Sequence, residues 1–356
     1  MAVFTDVFDD VTKLGRKIPT SEYLPEGKYP IVDQGQQLIA GYTNKSNGLF
    51  SDVPVIIFGD HTRVIKYIDE PCFLGADGVK LLKAKDGGAN YKYLYYVLSN
   101  AKIPNTGYNR HFKWLKEVEI PSYSYEEQTH IVSLLDKVSE LIDLRKRQLQ
   151  KLDELVKSRF IELFGDPVAS ENKRKLSEIG RIFTGNTPSM KEPSYYESND
   201  IPFIKPSDLN ESGVTNIEGV EAYISEKARP VARIIPPNAV LVTCIGTIGK
   251  IGITSRESCC NQQINFVVPN DGINSLYLAY CLTFFKSTLQ NIANAPVVPI
   301  INKTQFSELE VPVFDIDKQN QFAGFVEQTD KSKVVVQQSL DKLETLKKSL
   351  MQEYFG

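Results

Sequence analysis

The chain has 356 residues, of which 42% are hydrophobic and 24% charged, and its formal net charge is −3 at pH 7. That length exceeds what one core usually organises and points to two domains. The ordinary composition excludes disordered and fibrous classes, and no run approaches the roughly 18 apolar residues of a membrane helix. The slight acidic excess does not advertise a nucleic-acid binder, whose domains usually carry a basic excess. If DNA is the ligand, folding must sort the lysines and arginines onto one side. The Met1 end has neither a basic n-region nor an apolar h-region, so no secretory signal is expected. Five cysteines (Cys72, Cys244, Cys259, Cys260, Cys281) form an odd set without framework spacing. Free thiols in a reducing, cytoplasmic setting are the expectation.

In chain order, the first block opens with the strand signal Tyr29-Pro30-Ile31-Val32. It continues with Val53 to Asp60, a strand entering a glycine turn, and then the segment Leu74 to Val79. A helix is predicted from about Tyr91 to Ser99, followed by a loop from Thr106 to Trp114. From about Glu126 one long helix is predicted, ending at Phe164-Gly165. The second block repeats the plan with clearer turn punctuation. Thr184 to Ser189 is a turn segment, Ile201 to Leu209 and Ile235 to Thr243 carry strands, and Gly246 to Ile253 reads as strands broken by glycines. Cys260 to Ile264 leads to the strand at Phe266 to Pro269, and a helix is predicted over Ser275 to Leu289.

The segment 120–165 then recurs without a gap as 311–356, at a constant offset of 191. Repeats of this kind decide the architecture. Each copy starts with an Ile-Pro or Val-Pro pair, reaches a Gln seven residues after the Pro (Gln128, Gln319), and stops at Phe-Gly. Heptads can be assigned in both copies. In the first, Leu135, Ile142, Leu149, Val156 and Leu163 form an unbroken apolar row. In the second, Phe322, Val336, Leu343 and Leu350 form a row that only Thr329 interrupts. Antiparallel pairing sets Leu135 on Leu350, Ile142 on Leu343, Leu149 on Val336 and Leu163 on Phe322. The other row opposes each cation (Arg145, Lys333, Lys347, Arg159) to an aliphatic side chain, along which its stem can lie. The competing reading is that each helix packs only on its own globular block. Heptads sustained over about 39 residues, roughly 58 Å, favour the pair. The fold class expected is therefore mixed α/β: two similar domains separated by a long antiparallel two-helix coiled coil with a pseudo-two-fold repeat. The expected boundaries are 1–119, 120–165, 166–310 and 311–356.

Several chemistries are missing from the sequence. Pro236-Pro237-Asn238 has the wrong order for an adenine methyltransferase motif. Around Gly249-Lys250 a phosphate loop would need Gly where Cys244 stands and a hydroxyl where Ile251 stands. Three histidines and scattered cysteines give no zinc spacing, so no metal site is expected.

Gly185-Asn186-Thr187-Pro188-Ser189, Ile201-Pro202-Phe203-Ile204, Gly246-Thr247-Ile248-Gly249-Lys250, Asn261-Gln262-Gln263-Ile264 and Val311-Pro312 with Gln319 occur in a specific order. Together with the helix duplication, they make the whole chain resemble a specificity subunit of a type I restriction-modification system. The resemblance implies two target-recognition domains, 1–119 and 166–310, and two spacer helices, 120–165 and 311–356. It implies a non-catalytic reader of double-stranded DNA with a bipartite, asymmetric target. The gap between the half-sites would be set by the helical spacer. It also implies modification (methyltransferase) subunits, two in number, docked on the helices, joined by restriction subunits that carry the motor and nuclease. S-adenosylmethionine, ATP and Mg belong to those partners, and no cofactor is expected in this chain.

Base edges are read by Arg, Lys, Asn, Gln, Ser and Thr. In the first block Tyr108, Asn109, Arg110, His111 and Lys113 gather donors and aromatic surface in one loop. In the second the candidates are Thr187, Ser189, Lys205, Ser207, Thr247, Lys250, Gln262, Asn302 and Lys303. The first block departs from the glycine pattern with Gly59-Asp60-His61-Thr62-Arg63-Val64, so contacts carry over to it less directly. The alternative from a different class is a protein-interaction scaffold with two modules on a coiled coil.

Overall fold

A computed structural model describes residues 1–75, 77–107, 109–293 and 298–356. The chain divides into two compact units. Unit 1 comprises residues 1–145 and 338–356, and unit 2 comprises residues 146–337. Each unit therefore contains one globular block and one segment from each long helix.

In unit 1, strands β1 (Phe8–Asp10), β2 (Val55–Gly59), β3 (Ile65–Ile68) and β4 (Val79–Ala84) form an antiparallel sheet in the order β1-β4-β2-β3. β2 is buried along its whole length, as its run of Val, Ile and Phe requires of a central strand. A smaller sheet pairs Tyr29–Val32 antiparallel to Gly41–Thr43 and parallel to Phe73–Leu74. Helix α1 (Tyr91–Asn100) covers the main sheet, its first turn capped by the Asn90 side chain, which accepts from Tyr93 N at 3.1 Å.

Unit 2 follows the same plan. Strands β5 (Gly180–Thr184), β6 (Val214–Ile217), β7 (Val240–Thr243), β8 (Ile251–Thr254) and β9 (Ile264–Pro269) lie in the order β5-β9-β7-β8-β6. The extra strand β6 runs parallel to β8. The small sheet again combines one antiparallel and one parallel pairing: Ile201–Ile204 with Tyr223–Ile224 and with Cys259–Cys260. The expected helix over 275–289 is instead two helices, Ser275–Phe284 and Lys286–Ile292. The break falls at Phe285, whose N–H donates back to Leu282 O at 3.1 Å in a tighter turn while its ring is buried. The loop expected over Thr106 to Trp114 likewise ends in a one-turn helix, Phe112–Leu115.

The two long helices run over Tyr125–Phe164 (α2) and Ile316–Phe355 (α4, with α3 being Ser275–Phe284). α2 begins with a capping box: Ser124 N donates to Glu127 Oε2 at 2.7 Å, and Glu127 N to Ser124 Oγ at 3.3 Å. It stops at Gly165, whose φ of +72 suits glycine and whose N–H closes on Ile161 O. The repeated glutamine has a clear task. Gln319, fully buried, accepts from Asn274 N at 2.9 Å and donates to Phe314 O at 2.7 Å, tying the start of α4 to the cap of α3. Gln128 donates to Tyr123 O at 3.0 Å in the matching position.

Within each unit the helix segments pack antiparallel. In unit 1 Leu135 and Ile142 are buried, Leu350 packs on the core that holds Leu135, and Arg145 Nε donates to Ser339 Oγ at 3.2 Å. In unit 2 Val156, Phe322 and Val336 are buried, Leu149 and Leu163 are half-buried, and Lys333 Nζ lies 2.7 Å from Asp153 Oδ1. These polar pairs bracket the register that opposes 142 to 343 and 149 to 336. The cations do more than reach water: Lys333 is held by Asp153 and Asp330, and Arg159 pairs with Glu162 at 2.8 Å. Toward the end of α2 the seam leaves the heptad. Phe160 rather than Arg159 is fully buried, its ring 4.9 Å from Phe164, 5.0 Å from Phe284 and 5.2 Å from Phe322. There the helix docks on the globular block that follows it in the chain, while its start, through Ile131, Val132 and Leu135, packs on the core of the block before it, so both competing readings of the helices hold in part.

Candidate nucleic-acid interface

The β-hairpin between β2 and β3 is the centre of the site in unit 1. Asp60, 4% exposed, follows the last residue of β2 and is bonded on three sides. Its N–H donates to Gly78 O at 2.7 Å, its carbonyl accepts from His111 N at 2.8 Å, and its carboxylate accepts from Phe112 N at 2.7 Å. One buried residue thus locks together the hairpin, the loop before β4 and the loop before the Phe112–Leu115 turn. Gln34, from a fourth loop, stitches the tip: it accepts from His61 N at 3.2 Å and donates to Asp77 O at 3.1 Å. Arg63 takes a φ of +63, a costly conformation for a side chain of that size. It is held there by its N–H to Gly59 O at 2.7 Å and its guanidinium to Ile103 O at 3.2 Å.

Unit 2 builds the same knot on different letters. Cys244 N donates to Gln263 O at 2.7 Å, Cys244 O accepts from Ile301 N at 2.8 Å, and Gly246 N reaches Pro299 O at 3.0 Å. The hairpin between β7 and β8, the loop before β9 and the loop before Lys303–Ser307 converge as their counterparts do in unit 1.

Of the candidates in unit 1, Asn109, Arg110 and Lys113 are exposed on the loop that Asp60 anchors. Lys113 lies over the Trp114 ring at 4.2 Å. His111 is corrected: it is fully buried, with Nδ1 2.9 Å from Asp60 O, and serves as an interior strut. Tyr108 lies outside the described residues. Two exposed neighbours, Asp77 and Lys17, had no pattern to reveal them. Asp77, its side chain 96% exposed, takes a hydrogen bond from Lys17 Nζ at 3.0 Å. That bond and the Lys17 charge, with Arg110 beyond, hold its carboxyl below the usual carboxylate range.

In unit 2 Thr187, Ser189, Lys205, Ser207, Thr247, Gln262, Asn302 and Lys303 are exposed. Thr187 Oγ1 donates to Gln262 Oε1 at 2.8 Å, joining two candidates directly. Asn302 caps the Lys303–Ser307 helix, accepting from Gln305 N at 2.9 Å. Lys250 is the second correction. It is 8% exposed, its Nζ donates to Pro206 O at 3.2 Å and pairs with Glu211 at 2.7 Å, and its charge is spent inside the protein. Among the described residues no group of three His, Cys, Asp or Glu side chains could hold a metal ion. No described helix is long and apolar enough to cross a membrane.

A family profile described as the type I restriction modification DNA specificity domain matches residues 4–154 and again 169–345. The chain is 26% identical over 343 residues to the EcoR124I/EcoR124II type I restriction enzyme specificity subunit of Escherichia coli, covering 88% of this chain and 82% of that one. It is 32% identical over 146 residues to the HindI specificity subunit of Haemophilus influenzae, covering 39% and 30%. In structure it resembles the type I restriction-modification S subunit from M. genitalium, with a TM-score of 0.64 at 17% identity, over 100% of this chain and 95% of the other. A chain solved in work on complex assembly of the type I system gives a TM-score of 0.56 at 15% identity over the same shares. The structural likenesses speak for the fold.

Proposed function

Because the chain belongs to the family of type I restriction-modification DNA specificity subunits, we propose that it reads a bipartite, asymmetric DNA target, one half per unit, without catalysing a reaction itself. The observation that carries this is the duplicated knot of three loops. One backbone scaffold is fixed by equivalent hydrogen bonds at Asp60 and Cys244, and it presents different exposed side chains in the two units. Shared scaffold with divergent loop chemistry is what two readers of unlike half-sites need. Phosphate contacts would come from exposed cations such as Lys113, Lys205 and Lys303, and base contacts from Asn109, Arg110, Thr187, Thr247 and Gln262.

Methyltransferase subunits would dock on the solvent faces of the helices, and restriction subunits would join them. S-adenosylmethionine, ATP and Mg would be bound by those partners, in the cytoplasm. Genome-wide mapping of methylated adenine in a host with and without the gene tests the proposal. Loss of one two-part motif on deletion is the expected result. An unchanged methylome would favour a protein-interaction scaffold instead.

A further inference from the structure

The two knots differ at one matched place, the tip of the loop that feeds β4 in unit 1 and β9 in unit 2. Backbone hydrogen bonds fix the equivalence. Gly75 N donates to Val32 O at 2.8 Å and Asn261 N to Ile204 O at 3.2 Å on one side of the tip. On the other side Gly78 O accepts from Asp60 N and Gln263 O from Cys244 N, each at 2.7 Å. Between these anchors lie residues 76 and 77 in unit 1 and Gln262 alone in unit 2, so the polar tip side chains are Asp77 and Gln262. Each is steadied by a side chain from the segment after the unit's first main-sheet strand: Lys17 on Asp77, Thr187 on Gln262.

An exposed carboxylate amid loops that approach a polyanion needs a reason, since it repels phosphate. It has one if it meets a base edge. In the major groove the exocyclic amino groups of cytosine and adenine are donors, and a carboxylate accepts from them but is repelled by the oxygens of guanine and thymine. A carboxamide carries both a donor and an acceptor and matches adenine.

We infer that Asp77 and Gln262 are matched specificity-determining residues, Asp77 selecting an amino-bearing base in the half-site of unit 1 and Gln262 selecting adenine in that of unit 2. The inference rests on the DNA-reading function above. Lys17 is a positioning residue that aims Asp77. Gly78 lets Gln34 and His61 pack against the tip beside Asp77: at its φ of +86 a Cβ would lie 2.7 Å from Gln34 Oε1 and 2.8 Å from the His61 ring.

The test expresses the full chain with its methyltransferase subunits and maps methylated adenine for the wild type and for Asp77→Ala, Asp77→Asn and Gln262→Glu. In the wild type one position of one half-site is restricted to cytosine or adenine. Asp77→Ala relaxes that position to all four bases, with discrimination falling roughly five- to hundred-fold. Asp77→Asn, which adds a donor at the same size, narrows that position toward adenine, the base a carboxamide matches. Gln262→Glu moves one position of the other half-site from adenine toward cytosine. An unmoved motif in the Asp77 variants overturns the inference, and so does a uniform change in methylation at every site, the signature of a phosphate or structural role. Absence of any two-part motif in the wild type would instead defeat the DNA-reading function itself.

Discussion

Phe160→Ala tests the way α2 is bound into unit 2. The ring is fully buried and has four aromatic neighbours, Phe164, Phe284, Phe322 and Tyr277, at centroid distances from 4.9 to 5.6 Å. Fully burying a phenylalanine side chain stabilises by about 1.5 to 3 kcal/mol, and oriented ring pairs add about 0.5 to 1.5 kcal/mol each. Rings on α2, α3 and α4 cannot all close on the void, so a cavity remains, and the cost belongs at the upper end of about 3 to 5 kcal/mol. The next residue, Ile161, is 41% exposed, and Ile161→Ala should change stability by less than about 0.5 kcal/mol. Urea unfolding followed by circular dichroism gives the difference, and amide hydrogen exchange locates it in residues 146–337. Equal midpoints for the two variants would refute the claim that α2 is held in unit 2 through Phe160 rather than through its heptad row.

The remaining expectations concern the seam, the thiols and the proposed DNA face. Cysteines placed at 142 and 343 should form a disulfide under mild oxidation, since the register opposes them within unit 1; a folded protein that fails to crosslink rejects that register. All five native cysteines are buried, and burial pushes the Cys72 thiol up to about 11 and those of Cys244, Cys259 and Cys281 up to about 12, with Cys260 also raised. Thiols raised this far are protonated at neutral pH and gain thiolate only as pH approaches those values, so intact-mass analysis after alkylation at pH 8 should find almost no adduct on the folded chain and five on the unfolded one. Arg110→Ala should cost specific DNA binding about 1 to 3 kcal/mol if the guanidinium reads guanine. Lys250→Met should leave the sequence preference unchanged, and any loss should appear as reduced thermal stability, because Lys250 already serves Pro206 and Glu211.

Period and repetition were the legible part of this fold. The repeat at offset 191 exposed both long helices, and the heptad rows identified Leu135, Ile142 and Val336 as seam residues because helical spacing places them on one face. Phe160 escaped the heptad because its burial depends on rings contributed by α3 and by the start of α4, which local periodicity does not contain. The interruption at Phe285 was invisible for a similar reason: Ser275 to Leu289 has no Pro or Gly to mark it. At the proposed DNA face, composition pointed to loops but could not sort their side chains. His111 and Lys250 look like available donors in sequence, yet tertiary partners claim them both, Asp60 in one case and Glu211 in the other. Asp77 and Gln34 follow no spacing rule, and only the folded chain brings them to the hairpin tip.

The central claim is that two unlike loop knots on one repeated scaffold read two halves of one DNA sequence. Selection of bound duplexes from a randomised pool, using the full chain with its methyltransferase subunits, tests it most directly. The account predicts enrichment of a single motif with two defined parts and an unspecified interior, and loss of definition in one part only when Arg110 is replaced by alanine. Enrichment of no motif, or equal erosion of both parts by that one substitution, would contradict it.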